Sequence, residues 1–431
     1  MNFWKTKKKS PVILSRLIDL ESNTRAEFHH TRQDITIFFI FILPNSSTLQ
    51  ANSENPVSMK KTVTNGLFQP FGAGHSPPAT IILLAILFVS GPTGLLFAQP
   101  EGQARESIFS HLAREGEAIQ LTLQTDLDEL VNNRLRKDYQ PAELSYRSRE
   151  GKEVRMEVNV IPRGNYRRKI CDFPPIMLNF SKSLLAERGM ESEYDKIKLV
   201  THCKKGGEAQ GYLLKEYLAY KIYNLLSSNS YRVQLAQITY KDSKGAYKDI
   251  EQFGILIEDT DEMAHRIGGL ECECWNFQAD SVVLAYENTM SVFQYMIGNE
   301  DWSIPLLRNI KLIRPYDGGK IIPVPYDFDF SGFVNAPYAV PRSQLGISNI
   351  KQRIFLGFPV EEELLSETMK KFESQREQIE SMIKNAKRLG AQERKDAIKY
   401  VKSFYQKKQL KRLAEEVAEK RMEQEASATN D

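Results

Sequence analysis

The sequence predicts an α+β protein, with strands concentrated in the first third of the chain beyond residue 100 and helices in the remainder. Three observations carry this expectation. Apolar residues alternate with polar ones at Ile119, Leu121 and Leu123, and again at Val154, Met156, Val158 and Val160, which is how a half-buried strand reads. Leu214, Leu218, Ile222 and Leu225 recur at helical spacing instead. From Glu361 onward Leu365, Met369, Phe372, Ile379 and Ile383 keep spacings of three, four and seven, so the chain ends in a helical extension.

Bulk composition bounds the class. The chain has 431 residues, 41% of them hydrophobic and 26% charged, the values of a globular protein with ample core material. Its length suggests two or three domains. That composition argues against a largely disordered chain, a collagen-like chain and a multi-span membrane protein. Lys and Arg total 58 against 55 for Asp and Glu, a net charge of +3. Nucleic-acid binders carry a larger or more clustered basic excess, so no nucleic-acid partner is expected.

The elements follow in order. Residues 35–43, ITIFFIFIL, are apolar but too short for a membrane span of about 20 residues. Met59 then opens a basic start with Lys60 and Lys61, an apolar run covers 79–99, and Ala98 precedes Gln99. That is the layout of a secretory signal. Two readings stay open: a cleaved signal, with residues 1–58 a non-native or disordered extension, or a single membrane anchor near residues 79–98. Either one exports the remainder to the periplasm, cell envelope or extracellular space, where disulfides are permitted. Residues 105–116 read as a short amphipathic helix, and the alternating segments above as strands separated by the turn Arg149-Glu150-Gly151-Lys152. IMLNF (176–180) and KIKLVTHC (196–203) are further strands, 212–226 a helix, and 231–240 and 252–258 strands again. The largely apolar 279–297 is a buried helix, and a turn at Asp317-Gly318-Gly319 leads into the strand IIPVPYDFDFSG. Gly390 breaks the C-terminal helical extension, after which a second charged helix runs to about Gln424.

Chemistry concentrates in residues 298–332. Asn299 and Asp301 follow the buried helix, Asn309 opens a short strand, and a hairpin leads to Asp327 and Asp329. Phosphoryl transfer needs this set: one carboxylate to orient the attacking hydroxyl, and an Asn with a later carboxylate to hold Mg²⁺ against the phosphates. A hard, oxygen-seeking cation is implied, because His and Cys are missing from the cluster.

These segments resemble the CotH family, kinases related to spore-coat protein H with a protein-kinase-like fold. The resemblance covers roughly residues 119–345. Its motifs are VNVIPRGNYRRKICDFPPIMLNF (158–180, with Arg163, Gly164, Asn165 and Arg168), KIKLVTHC, EYLAYKIYNLL from Glu216, GNEDW with Asp301, and VPYDFDFSG. The family implies a bilobal protein-kinase-like fold with a β-rich N-lobe (99–212), a helical C-lobe as the kinase-like core (213–358) and a C-terminal helical extension (359–431). It implies that Asp301 orients or deprotonates the acceptor hydroxyl and that Asn309 and Asp327 bind Mg²⁺, with Asp329 assisting. Arg163 and one of Lys196 and Lys198 would contact ATP, and Glu216 would hold that lysine. Both lysines lie on one strand face, so period does not choose between them. Asp301 and Asn309 stand eight apart, against five in the common kinase catalytic loop, so either a small insertion is required or Asn309 is not the ligand. The implied function is an exported kinase using ATP and Mg²⁺ to phosphorylate a hydroxyl on a protein. The alternative is an inactive pseudokinase-type scaffold for an envelope partner.

The chain has four cysteines. Cys171 and Cys203, both on expected strands of one lobe, are the pair expected to form a disulfide. Cys272 and Cys274 form a C-x-C, which lacks the paired two-residue gaps usual in zinc sites.

Overall fold

The computed structural model describes residues 105–204, 206–275 and 277–429. The apolar run at 79–99, and with it the signal or anchor expectation, lies outside the described residues. Among these residues no helix is long and apolar enough to cross a membrane.

Seven strands form a closed barrel. β1 (Ile119–Thr125), β2 (Gln140–Arg147), β3 (Glu153–Pro162), β4 (Ile176–Phe180) and β5 (Lys196–Val200) follow one another as antiparallel neighbours. β6 (Val233–Asp242) and β7 (Ile250–Ile257) form a hairpin, and β7 pairs with β5. The circle closes where β1 runs parallel to β6, from Ile119 opposite Ala236 to Thr125 opposite Asp242. Closure covers edge amides and carbonyls that would otherwise face solvent unpaired. The inward set (Leu121, Leu123, Met156, Leu178, Ile197, Leu199, Ile238 and Tyr240 among others) forms one core.

The bilobal kinase-like fold expected from the resemblance is overturned by this barrel. Strands from both sides of the long helix Gly207–Leu226 belong to one closed mixed sheet, and the other long helices follow the last barrel strand. The physical cause is the β1–β6 pairing, made between segments more than a hundred residues apart, which local periodicity does not encode.

The outer faces of β6 and β7 carry Val233, Leu235, Ile255 and Ile257 into a second core. That core is filled by α5 (Gly207–Leu226) and α7 (Leu284–Ile297) and by the C-terminal helices α8 (Glu362–Lys384), α9 (Ala391–Phe404) and α10 (Lys407–Ala428). Earlier helices are short: α1 (Ile108–Leu112), α2 (Leu127–Asn132), α3 (Arg167–Ile170) and α4 (Lys182–Glu187), with α6 (Thr260–Arg266) after β7. A small antiparallel sheet, β10-β9-β8, lies alongside: β8 (Gly269–Glu271), β9 (Ile310–Pro315) and β10 (Ile322–Pro325). The β9–β10 turn uses Gly318 at φ 76°, a conformation glycine adopts without steric cost.

Cys171 and Cys203 are joined, with Cα atoms 4.5 Å apart, within the span a bridge needs. The bond ties the end of α3 to the segment after β5. Cys272 and Cys274 are joined as well.

Candidate functional site

A cavity of about 340 Å³ gathers residues from widely separated stretches of the chain. The turn after β3 supplies Arg163 and Gly164, α3 supplies Arg167, and β5 supplies Lys198. Helix α5 contributes Glu216 and Tyr220. The loop after α7 brings Asp301, Arg308 and Asn309, and the segment after β10 brings Tyr326, Asp327 and Asp329.

The loop after α7 is built from its own polar groups. Gly298 ends the helix in the left-handed region, φ 61°, and Asn299 is buried behind it with its Nδ2 on Gln294 Oε1 at 3.0 Å. Asn299 Oδ1 accepts from the Asp301 amide at 3.1 Å. Ser303 and Arg308 then exchange two backbone hydrogen bonds (3.0 and 2.9 Å), so residues between them form a small closed loop. That loop absorbs the eight-residue spacing and returns Asn309 to Asp301. Asn309 Nδ2 donates to the Asp301 carbonyl at 2.7 Å and to its carboxylate at 3.1 Å. Both donations are made by the amide nitrogen. Burial raises the Asp301 carboxyl above its ordinary range, with Arg308 opposing.

Asn309 (φ 51°) and Asp327 (φ 63°) both sit in the left-handed region. Asn and Asp tolerate it better than other non-glycine residues, at a cost of order 1 kcal/mol or more each. The surroundings hold the conformation in place. The Tyr326 amide donates to the Asn309 carbonyl at 3.0 Å, and the Asp327 amide donates to the Tyr220 hydroxyl at 2.8 Å. Phe328, fully buried, packs edge-on against Tyr220 and Phe293. It anchors the chain between the two aspartates.

Asp329 and Glu216 are both buried around Arg167. Arg167 Nη1 lies 3.3 Å from Glu216 Oε2, its Nε 3.9 Å from Asp329 Oδ2, and its Nη2 donates to the Thr201 carbonyl at 2.8 Å. Burial raises the Glu216 carboxyl despite Arg167, and burial together with Asp327 raises that of Asp329. One guanidinium cannot neutralise two buried carboxylates with Asp327 beside them, and Glu216 Oε1 has no hydrogen-bond partner. The cluster is therefore relieved by taking up a proton or a cation.

Lys198 lines the cavity and Lys196 does not. Lys198 Nζ donates to Thr260 Oγ1 and lies 4.8 Å from the Tyr231 ring centroid. Burial and the Arg163 charge push its ammonium down to about 7. Lys196 is exposed and pairs with Asp195 at 3.1 Å. Glu216, expected to hold the lysine, pairs with Arg167 instead. The structure thus brings Arg163, Lys198, Glu216, Asp301, Asn309, Asp327 and Asp329 to one cavity and leaves Lys196 outside it.

Sequence reasoning missed Arg167, Tyr220 and Thr260. Tyr220 had a signal, since it stands four residues after Glu216 on one helix and so shares its face. Arg167 had none, because it is one of three arginines within 163–168 and only the docking of α5 selects it.

Among the described residues no three His, Cys, Asp or Glu side chains gather as a metal-holding group. Asn309, Asp327 and Asp329 line the same cavity. No family model and no curated protein matches this chain.

Proposed function

We propose that this chain transfers a phosphoryl group from ATP to a hydroxyl on a protein, using Mg²⁺, in the manner of the CotH-family kinases whose motifs it resembles. One observation carries the reading: a lysine, an arginine, an Asp–Asn pair and an Asp-x-Asp from separate stretches of the chain line a single cavity. Its volume falls within the range of about 300–1,000 Å³ typical of small-molecule sites.

Each residue has a role in this reading. Asp301, raised by burial and steadied by Asn309, accepts the acceptor's proton. Asp327, Asp329 and the Asn309 oxygen would hold Mg²⁺, which would supply the charge that lets phosphates approach two carboxylates. Lys198 and Arg163 contact the phosphates. An ammonium pushed down to about 7 regains its charge when phosphate oxygens arrive, so binding and protonation reinforce each other. Arg167 positions Glu216 and Asp329. Export is part of the proposal: it rests on the pattern of residues 59–98, and two disulfides fit an oxidising compartment.

The test separates binding from transfer. Mg-ATP binding is followed by the shift in melting temperature, and transfer by labelled ATP on wild type, Asp327→Asn and Asp301→Asn. Asp327→Asn should lose Mg²⁺-dependent binding. Asp301→Asn should keep binding and lose transfer by about 10² or more. A wild-type chain that does not bind Mg-ATP refutes the proposal, and one that binds it without labelling any acceptor favours the scaffold alternative.

A further inference from the structure

The Cys272–Cys274 pair lies outside the cavity and has no part in the proposed transfer. Its two halves are held differently. The Cys272 amide donates to the Leu312 carbonyl at 2.7 Å, which pins this buried cysteine to β9 as an extension of the small sheet. Cys274 is half-buried between exposed Glu273 and Trp275, the latter 69% exposed. Arg314, on β9, places Nη2 at 3.4 Å from both sulfurs. A guanidinium at that distance favours the thiolate over the thiol.

The contrast with the other bridge is informative. Cys171 and Cys203 are buried and 32 positions apart, so their bond closes a long loop and restrains the unfolded chain. A bond between residues two apart restrains very little. An accessible disulfide with a small stabilising contribution and a cation on both sulfurs has the features of an exchange site rather than a staple.

We propose that Cys272–Cys274 is a thiol–disulfide exchange site that takes two electrons from a peptide or protein dithiol, with Arg314 holding the leaving thiolate. A thiolate of the partner attacks Cys274 Sγ, the intramolecular S–S bond breaks, and Cys272 Sγ departs as a thiolate beside Arg314. The partner's second thiol gives its proton to solvent and attacks the partner sulfur of the mixed disulfide. A disulfide forms on the partner, Cys274 Sγ leaves and takes up a proton from solvent, and the pair ends reduced, with Cys274 a thiol and Cys272 still a thiolate beside Arg314. Exposed Trp275 offers the partner chain an apolar surface next to the attacked sulfur. The proposal stands independently of phosphoryl transfer.

The experiment mixes the full oxidised chain with a synthetic peptide dithiol, quenches with acid, alkylates and maps the products by mass spectrometry. One peptide disulfide per chain should form, with both new thiols on Cys272 and Cys274 while Cys171 and Cys203 stay closed. Cys272→Ser and Cys274→Ser should each abolish the reaction. Arg314→Leu should slow iodoacetamide alkylation of the reduced pair about ten-fold at pH 7 and match wild type above about pH 10. Arg314→Lys, which keeps the charge, should restore much of the rate, a rescue that a folding defect would not give. A peptide that stays reduced, a Cys171–Cys203 bond that opens first, or an Arg314→Leu profile superimposed on wild type overturns the proposal.

Discussion

Arg167→Met tests the electrostatic account of the cavity most directly. The substitution keeps an apolar stem and deletes the charge between two buried carboxylates. At an effective dielectric constant of 20, charges 3.3 Å and 3.9 Å apart attract by about 5 and about 4 kcal/mol before desolvation is counted. Burying the guanidinium offsets much of that sum, and removing one partner of a buried pair costs about 3–5 kcal/mol net. The Thr201 carbonyl also loses its donor, in the same direction. What marks the mechanism is its pH dependence. With the cation gone, Glu216 and Asp329 can escape the penalty only by taking up protons, and both are already raised by burial. The loss should therefore be about 3–5 kcal/mol at pH 8 and clearly smaller at pH 5. Urea unfolding of both chains at the two pH values measures it. A loss below about 1 kcal/mol, or one equal at both pH values, would refute the reasoning and make Arg167 a packing residue.

Two further outcomes follow from the same structure. Cys171→Ala with Cys203→Ala should cost about 3–4 kcal/mol from the long loop they close, against less than about 2 for the same change at Cys272 and Cys274; urea midpoints decide it, and equal shifts would remove the loop-closure argument. Lys198→Met should stabilise the chain in a pH-dependent way. The folded ammonium sits near 7 and the ordinary value is 10.5, so between those values the folded wild type binds fewer protons and its stability falls as pH falls. The gain in melting temperature of Lys198→Met should be largest at or below pH 7 and vanish toward pH 10.5, and a pH-independent difference would sink the account.

What could be read in the sequence was local. Val154 to Val160 declare a strand because one face is buried and the other is not, and Leu214 to Leu225 declare a helix for the same reason. β2 escaped because only Leu144 and Tyr146 of its eight residues are buried, too few for an alternation to register. Barrel closure escaped because the β1–β6 register is a property of two distant segments together. The candidate site was legible to the same extent. Asp301, Asn309, Asp327 and Asp329 stand out because acidic and amide groups crowd around an apolar hairpin, whereas the choice of Lys198 over Lys196 needs the three-dimensional position of Tyr231 and Thr260. The partner of Glu216 needs α3, whose position depends on the Cys171–Cys203 bond.

The backbone at Asn309 and Asp327 links these levels. Left-handed backbone at both Asn309 and Asp327 is costly at the ends of a hairpin that β9 and β10 could otherwise extend. Relaxing either one would turn its side chain away from the cavity, and the amide of Asp327 would lose the Tyr220 hydroxyl. Tyr220 shares its helix face with Glu216, which is held by Arg167, which in turn neighbours Asp329. Helix α5 thus carries both the group that holds the strained backbone and the group that engages the charge cluster. A shift of α5 of an ångström or so would disturb the acid segment and the arginine together, so the cavity's geometry depends on how firmly this helix packs between the barrel and the C-terminal helices.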